Sequence, residues 1–139
     1  MKLTFHHLNL NTHDVPELDR FYGEVMLQDD VPSMRDVPSV SEGIYPGALA
    51  FRTDGQLQFH LTETDTGVGI RAGKAINPME RGHIAFRTDD MEAFKRHLTE
   101  KGIAFVDYGT TFTKRWTQIY FHDPAGNVIE VHQVLEGDD

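Results

Sequence analysis

The chain contains no cysteine, which excludes disulfides, thiolate metal sites and a cysteine nucleophile, and makes an intracellular, cytoplasmic location the expected one. Basic residues are scarce too: 13 Lys and Arg stand against 22 Asp and Glu among 139 residues, a formal net charge of −9. A surface of that sign repels phosphate backbones and anionic headgroups, so neither nucleic acid nor a membrane is expected as partner, and a small-molecule substrate is. No apolar run approaches membrane-spanning length, and Met1-Lys2-Leu3-Thr4-Phe5-His6 carries no signal-peptide core. With 39% hydrophobic residues the chain can bury one core but not two large ones, so a single domain over 1–139 is expected.

What is present is a repeat. The stretch from His83 to Phe94 matches the stretch from His7 to Leu18 in register: His7 with His83, Thr12 with Thr88, Asp14 with Asp90, and apolar pairs Leu8/Ile84, Leu10/Phe86, Val15/Met91 and Leu18/Phe94. Each copy begins with apolar residues at alternate positions, the pattern of a half-buried strand whose histidine lies on the opposite face. A helix follows in each. Asp14 with Glu17 has the form of a capping box before the stripe Val15, Leu18, Phe21, Tyr22, Val25 and Met26, and Asp90 caps the stripe Met91, Phe94 and Leu98, which ends at Lys101-Gly102. The helices cover the apolar faces, which leaves His7 and His83 pointing the other way. His6 has the opposite strand parity, His13 has Asp89 as its repeat partner, and His97 and His122 are expected at the surface.

Residues 28–47 are weakly patterned and rich in Pro and Ser, and read first as a plain loop, with a short edge strand plus a loop, or a lid over a site, as the alternatives. Ala48–Arg52, the turn Thr53-Asp54-Gly55 and Gln56–Thr62 read as a hairpin in which Leu57, Phe59 and Leu61 alternate with Gln58, His60 and Thr62. From Thr64 to Pro78 the chain has glycines and no hydrophobic period, the pattern of a linker whose Arg71, Lys74 and Arg81 read most simply as a solvated face, with a basic contact to an anionic substrate as the alternative. Beyond the second helix, Ile103–Val106 reads as a strand, Tyr108–Thr113 as a loop, Trp116–His122 as a strand, Asp123–Asn127 as a turn and Val128–Val134 as the last strand. Phe59-His60-Leu61 and Ile129-Glu130-Val131 are then equivalent positions. The fold class expected is α+β: two βαβββ modules, about 1–64 and 80–135 with linker 65–79, in one domain whose curved mixed sheets enclose a cleft.

His7, His83 and Glu130 all fall on the inward faces. Two imidazoles and a carboxylate at one point form a facial set suited to one divalent ion, Zn, Ni, Co, Mn or Fe(II), and His60 would complete four ligands. His132 shares the face of Glu130. Strand parity also places Asn9, Gln58, Ala85, Gln118, Tyr120 and His132 along the cavity.

The chain resembles the vicinal oxygen chelate superfamily, which includes glyoxalase I, methylmalonyl-CoA epimerase, extradiol dioxygenases, fosfomycin-resistance enzymes and bleomycin-binding proteins. The resemblance rests on His7-Leu8-Asn9-Leu10, Phe59-His60-Leu61, Gly82-His83-Ile84-Ala85-Phe86 and the run from Tyr120 to Glu130 through Asp123-Pro124-Ala125-Gly126-Asn127. It implies a metal-dependent enzyme acting on a small substrate with vicinal oxygens, with proton transfer of the isomerase or lyase type favoured, Glu130 and Tyr120 as catalytic residues, and a homodimer. His60 stands where typical glyoxalase I has a carboxylate. Thr110–Lys114 lacks the second-sphere histidine of the extradiol dioxygenases, whereas Lys114 and Arg115 lie near the place of the basic residues in fosfomycin-type thiol transferases. Bleomycin-type binders use the scaffold without a ligand set and give the non-catalytic alternative.

Overall fold

Asp14 and Asp90 cap their helices as the repeat implies: Asp14 Oδ1 accepts from the Glu17 N–H at 3.1 Å and Asp90 Oδ1 from the Ala93 N–H at 3.0 Å. The structure, a computed structural model, describes residues 1–35 and 43–137. The first module comprises β1 (Leu3–Thr12), α1 (Val15–Arg20), β2 (Asp29–Asp30), the short α2 (Pro32–Arg35), β3 (Leu49–Thr53) and β4 (Gln58–Glu63). The five-residue helix α3 (Val68–Ala72) leads into the second module: β5 (His83–Thr88), α4 (Met91–Glu100), β6 (Val106–Gly109), β7 (Trp116–His122) and β8 (Val128–Val134).

The eight strands form one mixed sheet in the order β2-β3-β4-β1-β5-β8-β7-β6. In each module the first strand runs parallel to the last, β1 with β4 and β5 with β8, and the two first strands pair antiparallel at the centre. Asn9 lies opposite His60 and Ala85 opposite Glu130, each partner two residues beyond its module's histidine, so His60 and Glu130 are equivalent in space as they are in the repeat.

One face of the sheet is apolar and helix-covered. Met91, Phe94 and Leu98 of α4 are buried against Ile119 and Val131, flanked by Phe86, Phe105, Phe121 and Ile129, each large side chain contributing about 2 kcal/mol of transfer free energy. On the first module Tyr22 stacks on Phe59 at 5.4 Å. The other face is polar yet buried: His7, Asn9, His60, Thr62, His83, Gln118, Glu130 and His132 all lie on it with little exposure.

Three expectations are corrected. The first helix keeps α geometry only to Arg20 and continues as a π turn over Phe21–Val25, closed by the Met26 N–H on the Phe21 carbonyl at 3.2 Å. The wider turn rotates the stripe off the sheet, so Phe21, Val25 and Met26 are exposed. Gly23 sits there against the Arg52 guanidinium, whose Nε donates to Asp19 at 2.7 Å. Second, the linker is structured. Val68, Ile76 and Met79 are buried with Tyr45, Tyr108 and Tyr120, and Tyr108 donates to the Ile76 carbonyl at 2.6 Å; Gly69, Gly73 and Pro78 interrupt the stretch that carries these three apolar residues, which hid them. Third, β6 starts at Val106, so Tyr108 is in a strand and not a loop. In the stretch read as a plain loop, β2 and α2 form, and residues 36–42 lie outside the described residues.

Candidate metal centre

His83 follows Gly82, whose φ of +74° lets the chain turn into β5. Its imidazole Nδ1 is 2.9 Å from the Pro78 carbonyl. A carbonyl can only accept, so Nδ1 carries the proton and Nε2 the lone pair. That Nε2 lies 3.1 Å from Glu130 Oε1. Two acceptors face each other at that distance without strain only when a proton or a cation joins them. The linker thereby supplies both the acceptor that fixes the His83 tautomer and Met79, which borders the same cleft.

Glu130 is the hub. Its Oε1 accepts from the Tyr120 hydroxyl at 2.9 Å and from Gln118 Nε2 at 3.3 Å, and its Oε2 lies 2.7 Å from His132 Nδ1 and 3.8 Å from His7 Nε2. Burial opposes ionisation of Glu130, but the neighbouring His7 and the hydrogen bond from His132 outweigh it and hold the carboxyl well below the usual range. Burial, then the negative charge of Glu130 and its hydrogen bond, push the Tyr120 phenol well up, so it remains a donor. Burial also lowers His7 and His60 well below the ordinary imidazole value; His60 acts second on His7, and the opposing pull of Glu130 acts second on His60. Both are neutral at pH 7, as ligation requires.

His7, His83 and Glu130 each offer a donor atom, all within 4.8 Å of one another, a buried cluster consistent with a divalent metal site. The fit is supported by the chemistry of the donors and by Gln118, whose buried Oε1 has no hydrogen-bond partner while its amide nitrogen is used. His60 is brought beside this group but not into it: its ring stacks on His7 at 3.6 Å and its Nε2 bonds Gln58 Oε1 at 2.8 Å. Asn9, Gln118 and Tyr120 border the cleft as parity implies, whereas Gln58, Ala85 and His132 are buried on the same face without bordering it. The cleft has a volume of about 80 Å³ and opens to solvent, with Tyr45, Phe51, Phe112 and Trp116 as aromatic walls. Arg115 also borders it, bonded to the carbonyls of Ser33 and Glu136, and Lys114 is exposed.

His6 departs from its parity. A β-bulge between Phe5 and His7 inserts one residue into β1, and His6 turns toward the site, with its Nδ1 2.8 Å from His7 Nδ1. His6, His7 and His132 form a second close group among the described residues. Trp116 stacks on His132 at 4.1 Å and 6°, and Arg87 reaches both His6 and His132. A bulge depends on the partner strand, so nothing in the local sequence marks it. Of the remaining histidines, His13 and His122 are exposed and His97 is half-buried beside Phe94.

Paired βαβββ modules whose first strands each deliver a histidine, and whose second module closes with a glutamate, define a class of cleft-forming proteins with two-fold internal symmetry. The chain belongs to the Glyoxalase/Bleomycin resistance protein/Dioxygenase superfamily, whose sequence profile matches residues 4–131. Solved structures of similar fold include methylmalonyl-CoA epimerase from Mycobacterium tuberculosis, with a TM-score of 0.70 and 16% identity over 96% of this chain and 89% of that one. Another is a Streptomyces coelicolor methylmalonyl-CoA epimerase variant in complex with 2-nitronate-propionyl-CoA, at 0.68 and 19% over 97% of this chain and 100% of that one. A hypothetical protein from Bacillus halodurans C-125 aligns at 0.68 and 16% over 100% and 99%. No curated protein matches the sequence. Among the described residues no helix is long and apolar enough to cross a membrane.

Proposed function

We propose that the protein is a metal-dependent enzyme that binds a small substrate through adjacent oxygens and moves a proton on a carbon beside them, a reaction of the isomerase or lyase type. The observation that carries this reading is the His83 Nε2 lone pair facing Glu130 Oε1 at 3.1 Å with its other nitrogen tied to Pro78. His7, His83 and Glu130 would hold the ion, with His60, now bonded to Gln58, beside them as a fourth candidate ligand. A divalent ion there would supply Lewis-acid polarisation of the substrate oxygens. Glu130, kept ionised, takes up the proton; Tyr120 holds Glu130 Oε1, and the Gln118 carbonyl accepts from a substrate hydroxyl. The aromatic walls exclude water and hold an apolar or acyl portion. The epimerases of similar fold support proton transfer next to a carbonyl. The test is solvent-deuterium uptake into methylmalonyl-CoA with and without added Co(II), run beside hemithioacetal, catechol and fosfomycin assays. Uptake that depends on metal supports the reading, and turnover confined to catechol or fosfomycin replaces it with dioxygenase or thiol-transfer chemistry.

The same assay bears on His60. His60→Ala is expected to keep the fold, because the side chain faces a cleft, and to weaken metal affinity about tenfold or more. A variant with undiminished affinity and lost turnover reduces the ligands to His7, His83 and Glu130 and makes His60 a base.

A dimer is part of this proposal. Phe21, Val25, Met26 and Leu27 leave consecutive apolar side chains exposed on the first module, and the sheet ends in the open edges of β2 and β6. Light scattering at micromolar concentration is expected to give twice the chain mass; a monomer there contradicts the dimer.

A further inference from the structure

Arg87 lies outside the ligand set, yet its hydrogen bonds reach it from two sides. Its Nε donates to His132 Nε2 at 2.9 Å, and its Nη2 lies 3.0 Å from His6 Nε2. A guanidinium has donors and no acceptor, so both Nε2 atoms accept, and both rings carry their proton at Nδ1. On one arm, His132 Nδ1–H donates to Glu130 Oε2 at 2.7 Å. On the other, His6 Nδ1–H donates to His7 Nδ1 at 2.8 Å. His7 therefore carries its proton at Nε2, the nitrogen that faces Glu130.

We propose that Arg87 is a positioning residue whose two arms act on metal affinity in opposite directions: through His132 it fixes Glu130, and through His6 it holds His7 in the tautomer whose Nε2 cannot ligate. This rests on the metal reading of His7, His83 and Glu130. For His7 Nε2 to ligate, its proton must pass to Nδ1. His6 Nδ1 then has to accept, and the His6 proton moves to Nε2, where it meets the Arg87 Nη2–H. The two rings keep two protons between them, exchanged with solvent in the cleft, and the Arg87–His6 bond is what breaks. The His132 arm needs no change. The packing matches this division, since His132 is fully buried, with its ring flat on Trp116, whereas His6 meets Trp116 edge-on at 5.4 Å and is only partly buried. His6 is thus a latch on the site, placed there by the β1 bulge.

Two measurements test this. In the metal-free protein, long-range ¹⁵N–¹H spectra of the imidazoles should show the proton on Nδ1 in His6 and His132 and on Nε2 in His7. His7 protonated at Nδ1 overturns the proposal whatever the metal data show. Co(II) binding, followed by its d–d absorption against a competing chelator, should be about tenfold tighter in His6→Phe and about tenfold weaker in His132→Phe, as loss of outer hydrogen bonds to ligands changes affinity by such factors. Phe preserves ring packing in both, and thermal melts verify the fold. If His132→Phe does not fold, the wild-type spectra and the His6→Phe affinity still decide. An unchanged or weakened His6→Phe affinity overturns the latch. A wild type that binds no Co(II) sinks the metal reading, a result distinct from wild-type binding that His6→Phe leaves unaltered.

Discussion

Lowering the pH from about 7.5 to about 5 is expected to destabilise the metal-free protein markedly at 25 °C. His6 is held down to about 3, first by burial and then by the neighbouring His132 and the charge of Arg87, and His7 and His60 are held well below the ordinary value by burial. Each has a folded pKa below its unfolded one, so as pH falls through about 6.5 the unfolded chain takes up protons that the folded chain refuses. Folding loses about 2 kcal/mol by pH 5 through His6 alone, whose folded value of about 3 lies well below that pH, and His7 and His60 add to the loss in the same direction. A loss of that size is a large fraction of the stability of a typical domain. The loss is absent above about pH 7, where both states are neutral. Glu130 acts in a lower window: its folded pKa is depressed, so its contribution is present above the unfolded carboxylate value and disappears only as pH falls through the folded one. Urea melts followed by circular dichroism at a series of pH values measure this. A midpoint that does not move between pH 7.5 and 5 contradicts the buried neutral cluster. Saturating metal should shift the acid transition to lower pH, because ligation holds the imidazoles neutral.

Gly82→Ala is expected to cost about 3 kcal/mol and to lower the melting temperature by about 10 °C. Gly82 has φ +74°, and a Cβ there would lie 2.4 Å from the Asn9 carbonyl oxygen. That atom belongs to the neighbouring strand, where Asn9 pairs with His83, and cannot turn aside as a long side chain would. Relief comes only by moving the start of β5 away from β1, which carries His83 out of reach of Glu130, so metal affinity should fall with stability. Gly126→Ala is the control: its φ is +90°, with nothing within 4 Å of the added Cβ. It should lose only the conformational preference, about 1 kcal/mol. Equal melting temperatures for the two variants contradict the close approach.

The contrast between those glycines shows how much of the site was legible in the sequence. Gly82-His83 and His7 are parts of a repeat, and strand parity alone turned both histidines, His60 and Glu130 to the same side of the sheet. Alternation with apolar partners carries that information locally. His6 and Arg87 were not legible, because one is redirected by a bulge that exists only when β1 meets β5, and the other acts across three strands. The linker was misread because Val68, Ile76 and Met79, which are buried against Tyr45, Tyr108 and Tyr120, lie in a stretch interrupted by Gly69, Gly73 and Pro78, and Pro78 acts through a backbone carbonyl that no side-chain pattern reveals. The first helix was overextended because its apolar spacing continues past the π turn that takes Phe21 and Val25 off the sheet.

The proposed chemistry stands or falls with a divalent ion held by His7, His83 and Glu130. Glu130 is the decisive residue, since it is the carboxylate of the cluster and every other member of the site hydrogen-bonds to it or packs against a residue that does. Elemental analysis of protein purified without a histidine tag, followed by metal titration of wild type and Glu130→Ala, measures it directly. Wild type is expected to bind about one divalent ion per chain, and Glu130→Ala, without the charge that offsets the ion, to lose it while remaining folded. A Glu130→Ala protein that binds metal as tightly as wild type would contradict the site.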